Sequence, residues 1–323
     1  MRVRGRVLFG SIAGALVGAI ALFIAGMYQS DLQREIERVS SGSELADTRC
    51  GPIEYASLGD GPAVLLVHGA GGGFDQGLEI ARELAAGGFR VVAMSRFGYL
   101  RTPLPADASP AAQADAHACL LDALGIERAA VIGISAGAPS SMQFALRHPR
   151  RATHLGLLVP LAYAPGERPA PGRATQFMLE HAVRSNFLYW AALNTMPSFV
   201  LESVLATPPA LLERASAREQ ARVRELMREL LPLSPRRAGL RNDWAIGQSL
   251  GRYALERIAA PTLAISVKDD LYGTFEGARY TAVHIPGARF VGSESGGHVW
   301  IGHHEEILAE LAAFLGKPER AQP

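Results

Sequence analysis

The chain has 323 residues, 48% of them hydrophobic and 20% charged, which excludes a disordered or fibrous protein and suits about two domains, or one large α/β domain with an insertion. The 32 Lys and Arg nearly balance the 31 Asp and Glu, and three of the basic groups are Arg2, Arg4 and Arg6. Beyond them the chain carries 29 basic against 31 acidic side chains, which excludes a basic footprint for nucleic acid.

The first element is Val7 to Tyr28, 22 residues without a charge. As a helix rising about 1.5 Å per residue it spans the roughly 30 Å hydrocarbon core of a bilayer. Arginines precede it and Asp31, Glu35 and Glu37 follow, so the positive-inside rule puts the N-terminus in the cytosol and the remaining domain in the periplasm or outside the cell. A cleaved signal peptide is the rival reading. The run exceeds the usual apolar core of about 7 to 15 residues and no small-x-small site follows it, which favours a retained anchor. Gly10, Gly14 and Gly18 are spaced as small-xxx-small steps, a pattern common in membrane helices generally. Residues 1–28 are therefore expected to be a transmembrane anchor, and residues 29–50, with SSGSELAD at 40–47, a polar linker. Cys50 and Cys119 allow one disulfide in an oxidising compartment or two thiols, and their spacing does not decide.

From Ile53 onward short β-rich runs alternate with helical patterns, which argues for a mostly parallel sheet covered on both faces. Strands are expected at 53–58, 64–67, 90–94, 129–134, 154–159, 262–267 and 289–292, and helices at about 77–86, 110–124, 136–147, 275–283 and 305–315. About 100 residues between Pro160 and Pro261 break the alternation, with Pro165, Pro169 and Pro171 at the edge and helix-forming stretches such as 211–230. That is too long for a crossover and implies an inserted, mainly helical cap over the carboxyl ends of the strands, where open α/β sheets bind ligands.

Gly133-Ile134-Ser135-Ala136-Gly137 is a G-x-S-x-G motif between an apolar strand and a helical pattern, the context in which a strained turn thrusts the serine out of the sheet. Val64 to Val67 runs into His68-Gly69-Ala70-Gly71-Gly72-Gly73. The chain here resembles the α/β-hydrolase superfamily, and further motifs keep that family's order. Ser95-Arg96-Phe97-Gly98-Tyr99 is similar to the stretch after the next strand, with Ser95 where an Asp is usual; Lys268-Asp269-Asp270 follows a strand as the family's acid does; Ser295-Gly296-Gly297-His298 looks like the turn bearing the histidine. The resemblance covers about residues 52–316 outside the cap. It implies an α/β-hydrolase fold with a core of 51–162 and 256–318 and a cap of 163–255.

The same resemblance implies a serine hydrolase with Ser135 as nucleophile, His298 as general base, and the backbone N–H groups of Ala70 and Ala136 as oxyanion hole. For the acid, Ser266 stands in the place of the family's Gly and Asp269 three residues on is favoured, Asp270 being expected to cap the next helix or bind a backbone amide. His68 is expected to be structural, His148 to end a helix, and adjacent His303 and His304 to start one. Asp115, Asp122 and the Arg/Glu alternation of 214–229 read as solvated helix faces. No cofactor is expected, and no metal, since His and Cys show no ligand spacing. Met178, Phe187, Leu188, Tyr189, Trp190, Met196 and Phe199 in the cap either face an apolar or aromatic ester or thioester substrate or pack cap against core. A non-catalytic relative that binds a ligand or partner is the alternative, which an intact Ser135, Asp269 and His298 disfavours. Oligomeric state is not legible.

Overall fold

The computed structural model describes residues 2–166 and 184–316, with side chains from Gly14 onward. Eight strands, β1 (Glu44–Thr48), β2 (Gly51–Leu58), β3 (Ala63–Val67), β4 (Arg90–Met94), β5 (Ala129–Ile134), β6 (Ala152–Leu158), β7 (Thr262–Val267) and β8 (Arg289–Ser293), form one sheet in the order 1-2-4-3-5-6-7-8. β2 runs antiparallel to β1 and β4, and every other neighbour is parallel. β5 and β7 are buried at every residue, which is why they read as unbroken apolar runs. From β3 the chain steps outward to β4 and then returns to β5 on the other side, so the loops after β3 and β5 diverge and open a crevice at their carboxyl ends.

Helix α1 is Arg2–Ser40, and α2 (Leu78–Ala86), α3 (Pro110–Ala123) and α4 (Ala138–Arg147) follow within the first half of the sheet. The insertion between β6 and β7 carries α5 (Asn186–Thr195), α6 (Pro197–Val204), α7 (Pro209–Arg214), α8 (Ala217–Glu229) and α9 (Arg237–Ser249), and α10 (Thr274–His284) and α11 (His304–Leu315) complete the core. α3, α4 and α10 cover one face of the sheet and α2 and α11 the other, each through a separate apolar cluster. The cap has its own core of Tyr189, Trp190, Val200, Leu201, Val223 and Met227, which also takes in Val299 and Ile301 of the sheet domain.

The expected linker at 29–50 is not what the chain forms. α1 continues through Ser40, because residues 29–38 are helix formers joined by Arg34–Asp31, Arg38–Glu35 and Gln33–Glu37 pairs one turn apart. Glu44–Thr48 then adds an edge strand to β2, so the sheet starts before Cys50. Cys50 and Cys119 are joined as a disulfide, Cα to Cα 6.0 Å, tying the β1–β2 turn to α3 across 69 residues of sequence. Leu16, Val17, Ile20, Leu22, Phe23, Ile24 and Met27 of α1 are exposed, and the helix is long and apolar enough to cross a membrane. It first meets the cap at Tyr28.

Candidate active site

β5 delivers Ser135 into a tight turn with a φ of 48°, a left-handed backbone that a non-glycine residue adopts only where the surroundings impose it. Here packing imposes it: a Cβ on Gly133 would lie 2.5 Å from Ser141 Oγ, and one on Gly137 2.4 Å from the Val67 carbonyl oxygen. Gly133 lets α4 press on β5 and Gly137 lets the start of α4 press on the end of β3, and Ser135 is left at the crest.

His298 Nε2 lies 3.0 Å from Ser135 Oγ, and its Nδ1 lies 2.8 Å from Asp270 Oδ2. A buried carboxylate at Nδ1 selects the tautomer with the proton there and leaves Nε2 free to accept from the serine hydroxyl. The carboxylate that meets the imidazole is Asp270 and not Asp269, which corrects the expectation for Asp269. β7 ends at Val267, and the Asp270 amide turns back to the Val267 carbonyl, which brings Asp270 under the imidazole. Asp269 instead accepts from the Gly297 amide at 2.7 Å and so steadies the backbone of the same turn. Asp270 is further held by the Tyr272 amide at 2.8 Å and by the Thr274 hydroxyl at the start of α10. The Tyr272 ring meets His298 edge-on, centroids 4.9 Å apart, and its hydroxyl donates to the Val204 carbonyl of the cap.

The turn after β3 is braced from three directions. Gln76 Oε1 accepts from the Gly69 amide at 2.8 Å. His68 Nε2 accepts from the Arg96 amide at 2.9 Å, so Nδ1 carries the proton and donates to the Gly69 carbonyl; burial, with Arg96 beside it, holds this histidine well below its usual pKa and neutral. His68 is thus structural, as expected. Arg96 donates to the His68 and Gly69 carbonyls and, in a bidentate pair at 2.7 and 2.6 Å, to Asp243 of α9. Tyr99 donates to the same carboxylate and accepts from the Gly71 amide. Ala70 lines a cavity of about 80 Å³ together with Ser135 and His298, and Ala136 follows Ser135 in the turn, buried. The arrangement can take a proton from Ser135 Oγ onto His298.

Several residues that hold this site are not marked by any motif. Ser95 donates to the fully buried Glu54 of β2 at 2.9 Å and accepts from the Phe74 amide, so Glu54 supplies a carboxylate beside the position where Ser replaces Asp. Arg236, fully buried, donates to the Gly72 carbonyl and at 2.7 Å to Asp75; Arg38 of α1 reaches the same carboxylate at 2.5 Å and also donates to the Glu229 and Leu231 carbonyls. Burial alone would raise the Asp75 carboxyl, and the two guanidiniums overcome it and hold it below its usual range. Nearby, Glu229 Oε2 is buried without a partner among the described residues, and burial, followed by the Asp75 charge, raises that carboxyl to about 8. In the alternating 214–229 stretch Arg222 is not solvated: it pairs with Glu219 at 2.7 Å and donates to the Val299 carbonyl next to His298.

The apolar part of the cavity wall is Ile80, Ile134, Val159, Val204, Leu205, Leu226, Val299 and Trp300, and Gln76, Glu79, Arg222 and His304 add polar groups to it. Of the cap residues considered from sequence, Tyr189 and Trp190 pack inside the cap, Phe187, Leu188 and Met196 are exposed, Phe199 packs partly buried against the cap core, and Met178 lies outside the described residues. His304 starts α11 and lines the cavity, its pKa lowered by burial and by Arg222, while His303 turns to Glu306. His148 ends α4, where it and Arg147 pair with Asp115, and Asp122 pairs with Arg49 and Arg151.

A family model described as alpha/beta hydrolase fold matches residues 62–301. Over 129 residues the chain is 36% identical to a 2-hydroxy-6-oxononadienedioate/2-hydroxy-6-oxononatrienedioate hydrolase of Pseudomonas putida, covering 37% of this chain and 45% of that protein. It is 31% identical over 113 residues to the 2-hydroxy-6-oxo-6-phenylhexa-2,4-dienoate hydrolase of Comamonas testosteroni, covering 33% and 40%. The chain thus spans less than half the length of these curated relatives. Among solved structures, an alpha/beta hydrolase fold protein from Nakamurella multipartita superposes with a TM-score of 0.67 at 29% identity over 84% of this chain and 98% of that one. A membrane phospholipase A described as a bacterial virulence factor shares the fold over 98% of this chain and 99% of its own, with a TM-score of 0.65 at 22% identity. The chain belongs to the α/β-hydrolase fold family.

Proposed function

We propose that the protein is a membrane-anchored serine hydrolase that cleaves carboxylic esters or thioesters through an acyl-enzyme on Ser135. The observation that carries this reading is the unbroken hydrogen-bonded line from Asp270 through His298 to Ser135, at 2.8 and 3.0 Å, beside the turn that bears Ala70. His298 takes the serine proton as Oγ attacks the carbonyl carbon and returns it to the leaving group. Asp270 holds the imidazole and stabilises its cation. The amides of Ala70 and Ala136 receive the oxyanion, each such donor being worth about 3 kcal/mol of barrier. Water activated by His298 then releases the acyl group. The mainly apolar walls of the cavity favour an apolar or aromatic substrate. Anchoring through residues 7–28, with the domain in the periplasm or outside the cell, is supported by the exposed apolar face of α1, and the Cys50–Cys119 disulfide suits an oxidising compartment.

A second reading, hydrolysis of a carbon–carbon bond, is favoured by the curated relatives, which are named as hydrolases of 2-hydroxy-6-oxo-dienoates. A series of p-nitrophenyl esters of increasing chain length, run beside a 2-hydroxy-6-oxo-dienoate, separates the two. Ester turnover lost in Ser135→Ala supports the first; turnover of the dienoate alone supports the second; neither activity in folded protein returns the chain to a binding role.

A further inference from the structure

We propose that helix α5 of the cap lies in the headgroup layer of the bilayer that holds α1, giving the hydrolase domain a second contact with the lipid surface. The inference rests on the reading of α1 as a membrane anchor. Residues 185–201 contain no charged side chain. Within that stretch Tyr189 and Trp190 are buried in the cap, yet Phe187, Leu188 and Met196 remain 43%, 50% and 53% exposed.

Their height relative to a membrane follows from α1. The Tyr28 ring meets Phe187 edge-on at 5.2 Å and Trp190 at 5.5 Å, and Trp190 Nε1 donates to Asp31 at 2.7 Å. Tyr28 closes the apolar stretch and Asp31 is the first charge after it, about 4.5 Å further along the helix. Phe187 and Trp190 therefore sit where hydrocarbon gives way to headgroups, in a layer roughly 5–7 Å deep. Aromatic rings and aliphatic side chains at that depth are the usual interfacial anchors, and interfacial helices bury their apolar face to about this extent. The position is fixed, because Arg38, two turns beyond Asp31, bonds α1 to Asp75 and to the end of α8. α6 follows α5 directly and ends at Val204, which with Leu205 lines the cavity of Ser135. The eight residues of α6, about 12 Å of helix, thus link the proposed interfacial helix to the wall of the serine's cavity.

The test uses the full-length protein in vesicles of phosphatidylcholine and phosphatidylglycerol, with and without bromine near the top of the acyl chains. The indole introduced by Phe187→Trp should lose about half its emission in brominated vesicles, and that introduced by Val283→Trp, exposed on α10, should lose none. Phe187→Ser combined with Leu188→Ser should lower hydrolysis of a long-chain ester held in vesicles about tenfold and leave a soluble short-chain ester unchanged. An unquenched Phe187→Trp in protein that carbonate-washed membranes retain overturns the proposal while the anchor stands. Release by carbonate overturns the anchor and the proposal with it, and equal loss on both substrates shows a merely structural role for the two residues.

Discussion

Asp270 and Asp269 grip the same turn by different atoms, one the ring of His298 and the other the amide of Gly297. Their replacement should separate them. Asp270→Asn removes the acceptor that selects the Nδ1–H tautomer and should lower kcat about 10³- to 10⁴-fold, whereas Asp269→Asn keeps an oxygen for the Gly297 amide and should change kcat less than about tenfold. The serine and the histidine were legible because each stands in its own glycine-flanked motif. The acid was not, because two adjacent Asp differ only in how the chain turns after Val267, which depends on the Asp270 amide bonding back to that residue. Glu229 offers a pH test at the same scale. Its carboxyl is raised from 4.5 to about 8 in the fold, so the folded state keeps a proton that the unfolded state releases, and stability falls as pH rises from about 4.5 to 8. Glu229→Gln should flatten that slope and, in melts of the full-length protein at pH 8, be more stable by on the order of 2 kcal/mol.

At the scale of elements, helix α1 and the cap are bound to the core by charge rather than by apolar contact alone. Asp75 takes Arg38 from α1 and Arg236 from the cap, and Arg96 bridges Asp243 of α9 to the carbonyls of the turn after β3. Arg38→Ala leaves the buried Asp75 with one partner and frees the Glu229 and Leu231 carbonyls, and should cost about 2–4 kcal/mol in denaturant melts of detergent-solubilised protein; an unchanged midpoint would show that α1 does not brace the cap. β5 and β7 announced themselves as buried apolar runs. β1 did not, because ELADT is a half-exposed polar edge whose pairing comes from β2, and the continuation of α1 was hidden behind a polar composition that also suits a linker. Buried Arg222 and Arg236 share their composition with a solvated helix face; only the tertiary partners distinguish them.

On the scale of the whole molecule, a cap and an α/β core meet around a small cavity and an exposed apolar helix packs its far end against the cap, and the sequence order of strand, motif and insertion was enough to anticipate the core and the cap. What it could not reveal is the seam between the parts, since Tyr28, Asp31 and Arg38 find their partners 159 to 193 residues away in the cap. The central claim is that Ser135 is a nucleophile activated by His298 and Asp270. Its most direct test is labelling of the folded full-length protein with a fluorophosphonate, followed by mass mapping of the adduct. The account predicts a single adduct on Ser135, absent in Ser135→Ala and strongly slowed in Asp270→Asn; folded protein that takes no label at Ser135 would contradict it.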